Sequence, residues 1–99
     1  MKVVIESPFK ISDVVDEMIH EKLNSLEEYK MGITQVDLYF KLDDGESDKT
    51  VFANLEVRKP GPTIFASSDD MDYVKAFNEA FSKAKRQLLK KKEQLKSHP

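Results

Sequence analysis

At 99 residues with 39% hydrophobic side chains, the chain is sized for one modest core and is too apolar for wholesale disorder. With no cysteine it has neither a disulfide framework nor a thiolate metal site. The net charge of −2 hides a division, because residues 1–48 hold five lysines against twelve acids while residues 49–99 hold eleven bases against six acids.

The chain opens on Met1-Lys2-Val3-Val4-Ile5 and turns polar at Glu6, too soon for an export signal or a membrane span, so the expected location is the cytoplasm. Lys2–Glu6 reads as a short strand closed by Ser7-Pro8. A helix follows, with Ser12 as N-cap, Asp13, Asp16 and Glu17 loading its first turns with acid, and Ile11, Val15, Met18, Ile19, Leu26 and Tyr29 at helical spacing. Gly32 is the expected stop. The period then changes to two. Val36, Leu38, Phe40 and Leu42 face one way in a strand over Thr34–Leu42, and Val51, Ala53, Leu55 and Val57 do the same after a polar hairpin loop at 43–48. Pro60-Gly61-Pro62 ends that strand, and Thr63–Ser67 is a fourth, short one. From about Asp69 the helical period returns and lasts almost to the end, with Tyr73, Phe77, Ala80, Phe81, Ala84, Leu88 and Leu95 on one side. The expected fold is α+β, in the order βαβββα: a four-stranded, mostly antiparallel sheet with two helices packed on one face, forming a single domain over residues 1–99.

A catalytic or metal site requires convergent nucleophiles, acids or ligands, and the inventory is thin. His20 sits among helix acids without a metal-binding His-Glu-x-x-His spacing, and His98 is one residue from the end. The three glycines form no phosphate-binding pattern. The acids at 43–48 resemble half of a calcium loop but lack its order and its closing glutamate, and read as a solvated turn. The expectation is a non-enzyme without cofactor, metal or small-molecule substrate.

Residues 83–96 carry seven bases and one acid, the pattern of a polyanion-binding surface or of a solvated helix end suited to the macrodipole. At about 100° per residue, Lys83, Arg86 and Lys90 share one flank of the apolar stripe, with Gln87 and Gln94 beside them, and Lys85, Lys92 and Lys96 share the other. Lys91 falls inside the stripe. A buried lysine is costly, so the helix is expected to have passed the sheet by that point and to be exposed all round, a basic rod suited to a phosphate-lined cleft. A frayed, solubilising tail from about residue 90 is the competing reading. Lys22 also lies in an apolar stripe, between Met18 and Leu26. Its ammonium is expected to snorkel into the groove between the helices, toward a phosphate or an intramolecular acid. Tyr39, Phe52 and Phe65 fall on the sheet face opposite the core, where aromatics stack bases in some RNA-binding modules or simply shield strand neighbours; Asp37 and Glu56 on that face favour shielding.

Asp72-Tyr73-Val74-Lys75-Ala76-Phe77-Asn78 lies in register with an Asp-Met-Tyr-x-Ala-Ile-Asp motif, Arg86-Gln87-Leu88-x-Lys90-x-Lys92 matches Arg-Gln-Leu-x-Lys, and Lys22-Leu23-x-x-Leu26 matches a basic-Leu-x-x-Leu pattern. On these residues, over nearly its whole length, the chain resembles the ribosome hibernation promoting factor and ribosome-associated inhibitor family, also described as sigma-54 modulation proteins. The resemblance implies a protein that docks on the small ribosomal subunit between head and body, occupies the channel for messenger and transfer RNA, and silences translation in starved or stationary-phase cells. It implies rRNA-phosphate contacts at Lys22, Lys83, Arg86, Lys90 and Lys92, to which Lys85 and Lys91 of the same basic helix are added. It also implies the family's short form, without a dimerisation domain and monomeric off the ribosome. Ser25 and Glu28 depart from it, standing where many members carry bases. The alternative function is a protein-interaction module whose acidic first half binds a basic partner.

Overall fold

The computed structural model describes residues 1–44 and 49–96, with the side chains of Asp44, Leu95 and Lys96 outside the description. The elements are β1 (Lys2–Glu6), α1 (Asp13–Ser25) continued by a 3-10 turn (Leu26–Tyr29), β2 (Gln35–Asp44), β3 (Lys49–Arg58), β4 (Ile64–Asp70) and α2 (Tyr73–Lys96). The four strands form one sheet in sequential order. β1 and β2 are parallel, joined by the α1 crossover such a pair requires, whereas β2–β3 and β3–β4 are antiparallel. The order βαβββα and the mostly antiparallel sheet agree with the sequence reading.

Alternation places Val36, Leu38, Phe40, Val51, Ala53, Leu55, Val57, Ile64 and Ala66 on one buried face. Both helices cover it: α1 and its 3-10 turn contribute Ile19, Leu23 and Leu26, and α2 contributes Ala76, Phe77, Ala80, Phe81, Ala84 and Leu88. The alanines let α2 lie close to the sheet while the phenylalanines and Leu88 fill the space beside it. Phe9, Phe40 and Tyr73 pack edge-on and tilted against one another, with centroids 4.9–5.7 Å apart, and tie the loop before α1 and the start of α2 to β2. Ser12 caps α1 as expected, its hydroxyl accepting from the Val15 amide at 3.3 Å.

Four boundaries differ from the expectation. β4 runs to Asp70 instead of ending at Ser67, because the ladder with β3 continues through Phe52↔Asp69 and Val51↔Asp70. Ser67-Ser68-Asp69-Asp70 has little strand preference of its own, so pairing with β3 imposes the conformation. α2 consequently starts at Tyr73, and its cap is Asp72, whose Oδ1 accepts from the Val74 amide at 2.8 Å. Gly32 does not stop α1. The helix tightens after Ser25 and reverses at Lys30, which has φ 53°. Gly32, at φ 72°, serves a close approach instead: a Cβ there would lie 3.2 Å from Pro60 Cδ. Of the hairpin loop expected over 43–48, Asp43 and Asp44 instead extend β2, because the ladder with β3 continues through Asp43↔Thr50 and Asp44↔Lys49, and residues 45–48 lie outside the described residues, as does His98.

Asp72→Ala is expected to lower stability by about 1 kcal/mol through loss of the cap, while Asp69→Ala stays within about 0.5 kcal/mol; urea titrations followed by circular dichroism read both. Equal losses would contradict a helix start at residue 73.

Candidate nucleic-acid interface

Because α2 buries one stripe against the sheet, its remaining circumference is fixed in direction. Lys83 and Gln87 point along the β4 flank. The Lys83 ammonium donates to the Ser67 carbonyl and the Gln87 amide to the Phe65 carbonyl, each at 2.9 Å. These carbonyls are two residues apart on an edge strand, so the helix's polar flank caps the free edge of the sheet. One turn earlier, Glu79 accepts from the hydroxyl of buried Ser68 at 2.5 Å, which holds the helix in register with β4. Arg86 and Lys90 continue the same flank and are exposed.

The opposite flank faces α1. Here Lys22 does reach out of the first helix into the space beside α2, but its partner within the protein is not an acid. Its ammonium donates to Asn78 Oδ1 at 2.6 Å and lies 5.8 Å from the centre of the Phe81 ring. A neutral amide and a ring face orient the charge without cancelling it. Further along this flank Lys85 is exposed, and Lys92 is half-buried with its ammonium 5.9 Å from the centre of the Tyr29 ring. Lys96 belongs to the helix, but its side chain lies outside the described residues.

The expectation of a rod exposed on every side by residue 91 needs correction. Leu88 is the last buried residue of α2 among those described, and Lys91 is exposed as anticipated. Yet the helix end is not clear of the body. Lys92 leans on Tyr29, and Lys91 lines a recess with Met31, Lys59 and the Pro60-Gly61-Pro62 turn. The 3-10 turn after α1 and the β3–β4 turn both reach farther along α2 than hydrophobic periodicity reveals.

Among the described residues, no carboxylate pairs with Lys22, Lys83, Lys85, Arg86, Lys90, Lys91 or Lys92. Arg58 shows the contrast. On the far face of the sheet it is held by Asp37 at 2.9 Å and Glu56 at 3.3 Å, so its charge is neutralised within the molecule. Tyr39 and Phe52 are half-buried on that same face and Phe65 is exposed, but the carboxylates of Asp37 and Glu56 stand among them. A phosphate oxygen would therefore meet unneutralised cations on α2 and carboxylates on the outer sheet face.

A family model described as "Sigma 54 modulation protein / S30EA ribosomal protein" matches residues 3–96. The chain belongs to this family. Among solved structures it is similar to a ribosomal subunit interface protein from Coxiella burnetii, with TM-score 0.79 and 22% identity over 94% of this chain and 99% of that one. It is also similar to the N-terminal domain of Protein Y from Thermus thermophilus, with TM-score 0.72 and 21% identity over 89% of this chain and 96% of that one. At these identities the likeness is one of fold. The comparison with curated protein sequences returns no match.

Within this S30EA-family fold, the residues that carried the resemblance divide by task. Tyr73, Ala76 and Phe77 serve the core or its margin, Asp72 caps α2, Asn78 receives Lys22, and Arg86, Lys90 and Lys92 extend outward. Sequence reasoning missed Asn78, though it lies seven residues before Lys85 on the same flank, and it missed Lys59, which follows a strand and reads as a turn residue. His20 stands beside Asp16 at 3.6 Å on the exposed face of α1. Among the described residues no group of three His, Asp or Glu side chains is placed to hold a metal ion, and no helix is long and apolar enough to cross a membrane.

Removing the edge cap tests one part of this arrangement. The Lys83→Ala/Gln87→Ala variant is expected to keep its circular dichroism spectrum but to self-associate at high protein concentration, seen as a rising mass by light scattering. An unchanged mass would show that the β4 edge does not depend on these side chains.

Proposed function

We propose that this S30EA-family protein binds the small ribosomal subunit between head and body and silences translation by filling the path of messenger and transfer RNA. In this reading residues 1–99 act as one ribosome-binding unit in the cytoplasm, monomeric off the ribosome, and work by occlusion without catalysis. Stationary phase and starvation are the conditions in which such a factor is useful. The observation that carries it is the set of bases without a carboxylate partner among the described residues on the outward surface of α2, Lys83, Lys85, Arg86, Lys90, Lys91 and Lys92, with Lys22 across the groove. The family description names a ribosomal protein, and the similar Coxiella burnetii protein is titled a ribosomal subunit interface protein.

The chemistry of such a contact is simple. Exposed lysine and arginine heads lose little solvation that a phosphate oxygen does not restore, and each phosphate neutralised releases counterions. A long helix presents these heads at a fixed spacing: Lys83 to Lys90 spans about 10 Å along the axis at about 1.5 Å per residue. Since α2 is braced by the sheet through Leu88, little order has to be created on binding.

A second reading has its own observation. Val14 is 78% exposed on α1 between Asp13 and the exposed Glu17 and Glu21, an apolar point ringed by acid that suits a basic protein partner. Treating a captured complex with RNase separates the two readings, because partners held through RNA are released and direct protein partners remain.

Co-sedimentation with purified small subunits in a low-salt sucrose gradient is the primary test; protein left at the top of the gradient would refute the proposal. Arg86→Glu/Lys90→Glu is the informative variant, since neither side chain has a partner among the described residues and the edge contact of Lys83 is kept. Each charged hydrogen bond contributes about 1.5 kcal/mol or more. The variant should therefore bind about 100-fold more weakly or worse, with an unchanged circular dichroism spectrum and a matching loss of inhibition in a cell-free translation assay. Retained binding would remove this helix from the contact.

A further inference from the structure

The recess at the C-terminal flank of α2 has a composition unlike the rest of the surface. Its walls are Met31 and the Pro60-Gly61-Pro62 turn, its rim carries Lys59, Lys91 and Gln94, and its volume is about 350 Å³. That volume falls within the range of roughly 300–1,000 Å³ typical of small-ligand sites. Among the described residues no carboxylate lines it. The half-buried Lys59 folds back over the turn, its ammonium donating to the Pro60 carbonyl at 3.2 Å and lying 3.7 Å from where a Cβ on Gly61 would stand. Like Lys91, it has no carboxylate partner among the described residues. The turn itself is held in place: Gly32 packs against the Pro60 ring so closely that a side chain would crowd it.

We propose that this recess is a subsite for one unpaired nucleotide of an RNA strand, the base lying against Met31, Pro60 and Pro62 and its phosphates meeting Lys59 and Lys91. This rests on the ribosome-binding reading and deepens it, since it gives the basic helix a place that takes a base as well as backbone. Flat apolar walls beside two unneutralised ammonium groups fit a ligand with a planar, weakly polar part joined to an anion. A duplex hides its bases, so the occupant is a single-stranded or splayed-out nucleotide. The position suits a strand. Lys83, Gln87 and Lys90 form a row of donors along the β4 flank of α2, and that row leads into the recess at Lys91, about 12 Å beyond Lys83 at about 1.5 Å per residue.

Methyl resonances of the methionines test this directly, with Met31 assigned through a Met31→Leu variant and Met18 and Met71 as internal controls. Hexauridylate at low salt is expected to move the Met31 methyl signal upfield by a ring current and to leave those of Met18 and Met71 in place. Inorganic polyphosphate, which has charge without a base, is expected to perturb α2 amides without that upfield shift. In Lys59→Ala/Lys91→Ala the Met31 shift should disappear. The salt dependence of hexauridylate binding should become shallower by about 0.7 in log–log slope for each phosphate that is no longer neutralised. The subsite is refuted if polyphosphate moves Met31 as hexauridylate does, or if Met31 stays silent with hexauridylate. Failure of the wider proposal looks different: the wild-type chain would not sediment with small subunits. Sedimentation with a silent Met31 overturns the subsite alone.

Discussion

The packing of α2 against the sheet is the constraint from which the remaining features follow. Ala76, Phe77, Ala80, Phe81, Ala84 and Leu88 are all buried, and they leave the helix one way to sit. Once that stripe is fixed, helical geometry determines where every other side chain of α2 stands. Lys83 and Gln87 reach the β4 edge, Asn78 and Lys92 face the first helix and its 3-10 extension, and Arg86 and Lys90 face solvent. Core and basic surface are two sides of one helix. A change that turned α2 by a fraction of a turn would both open the core and disperse the bases.

The division of charge between the halves of the sequence becomes a division in space with a consequence for binding. Acidic side chains cluster on α1, on the outer sheet face and near the start of α2, while bases gather toward the end of α2. The carboxylates on the sheet face neutralise Arg58 and leave the bases of α2 untouched. A chain with net charge −2 can therefore present a locally positive surface, because what a phosphate senses within a Debye length of about 8–10 Å is the nearby helix and not the total. The acidic remainder limits the orientations in which such a protein can approach a polyanion, favouring end-on or edge-on approach with α2 leading.

Much of this was legible in the residues alone. The two-residue period of Val36–Phe40 and Val51–Val57 and the longer period from Tyr73 onward identify the central strands and α2, because burial on one face is a local pattern. The exposed basic rows follow from the same arithmetic. What stayed hidden required pairing across the chain. Nothing in Ser67-Ser68-Asp69-Asp70 announces a strand; the ladder from β3 creates it. The Lys22–Asn78 contact joins residues 56 apart, and a short-range reading suggested an acid where the fold supplies an amide. Lys59 and Lys91 share a recess because Gly32 lets the Pro60 turn pass close to the end of α1, an approach that no periodicity encodes. Lys91 within the apolar stripe is exposed, as the cost of burying its charge requires, yet the helix end meets a turn on one side and Tyr29 on the other instead of standing free.

The central claim is that the unpaired bases of α2 hold this protein on rRNA phosphates of the small subunit, and a cryo-electron microscopy map of the chain on purified small subunits tests it most directly. The account predicts density in the cleft between head and body, with α2 from Lys83 to Lys92 against rRNA backbone and the acidic face of α1 turned away from it. A map with α2 in solvent and α1 seated on a ribosomal protein, or with the chain bound away from that cleft, would contradict it.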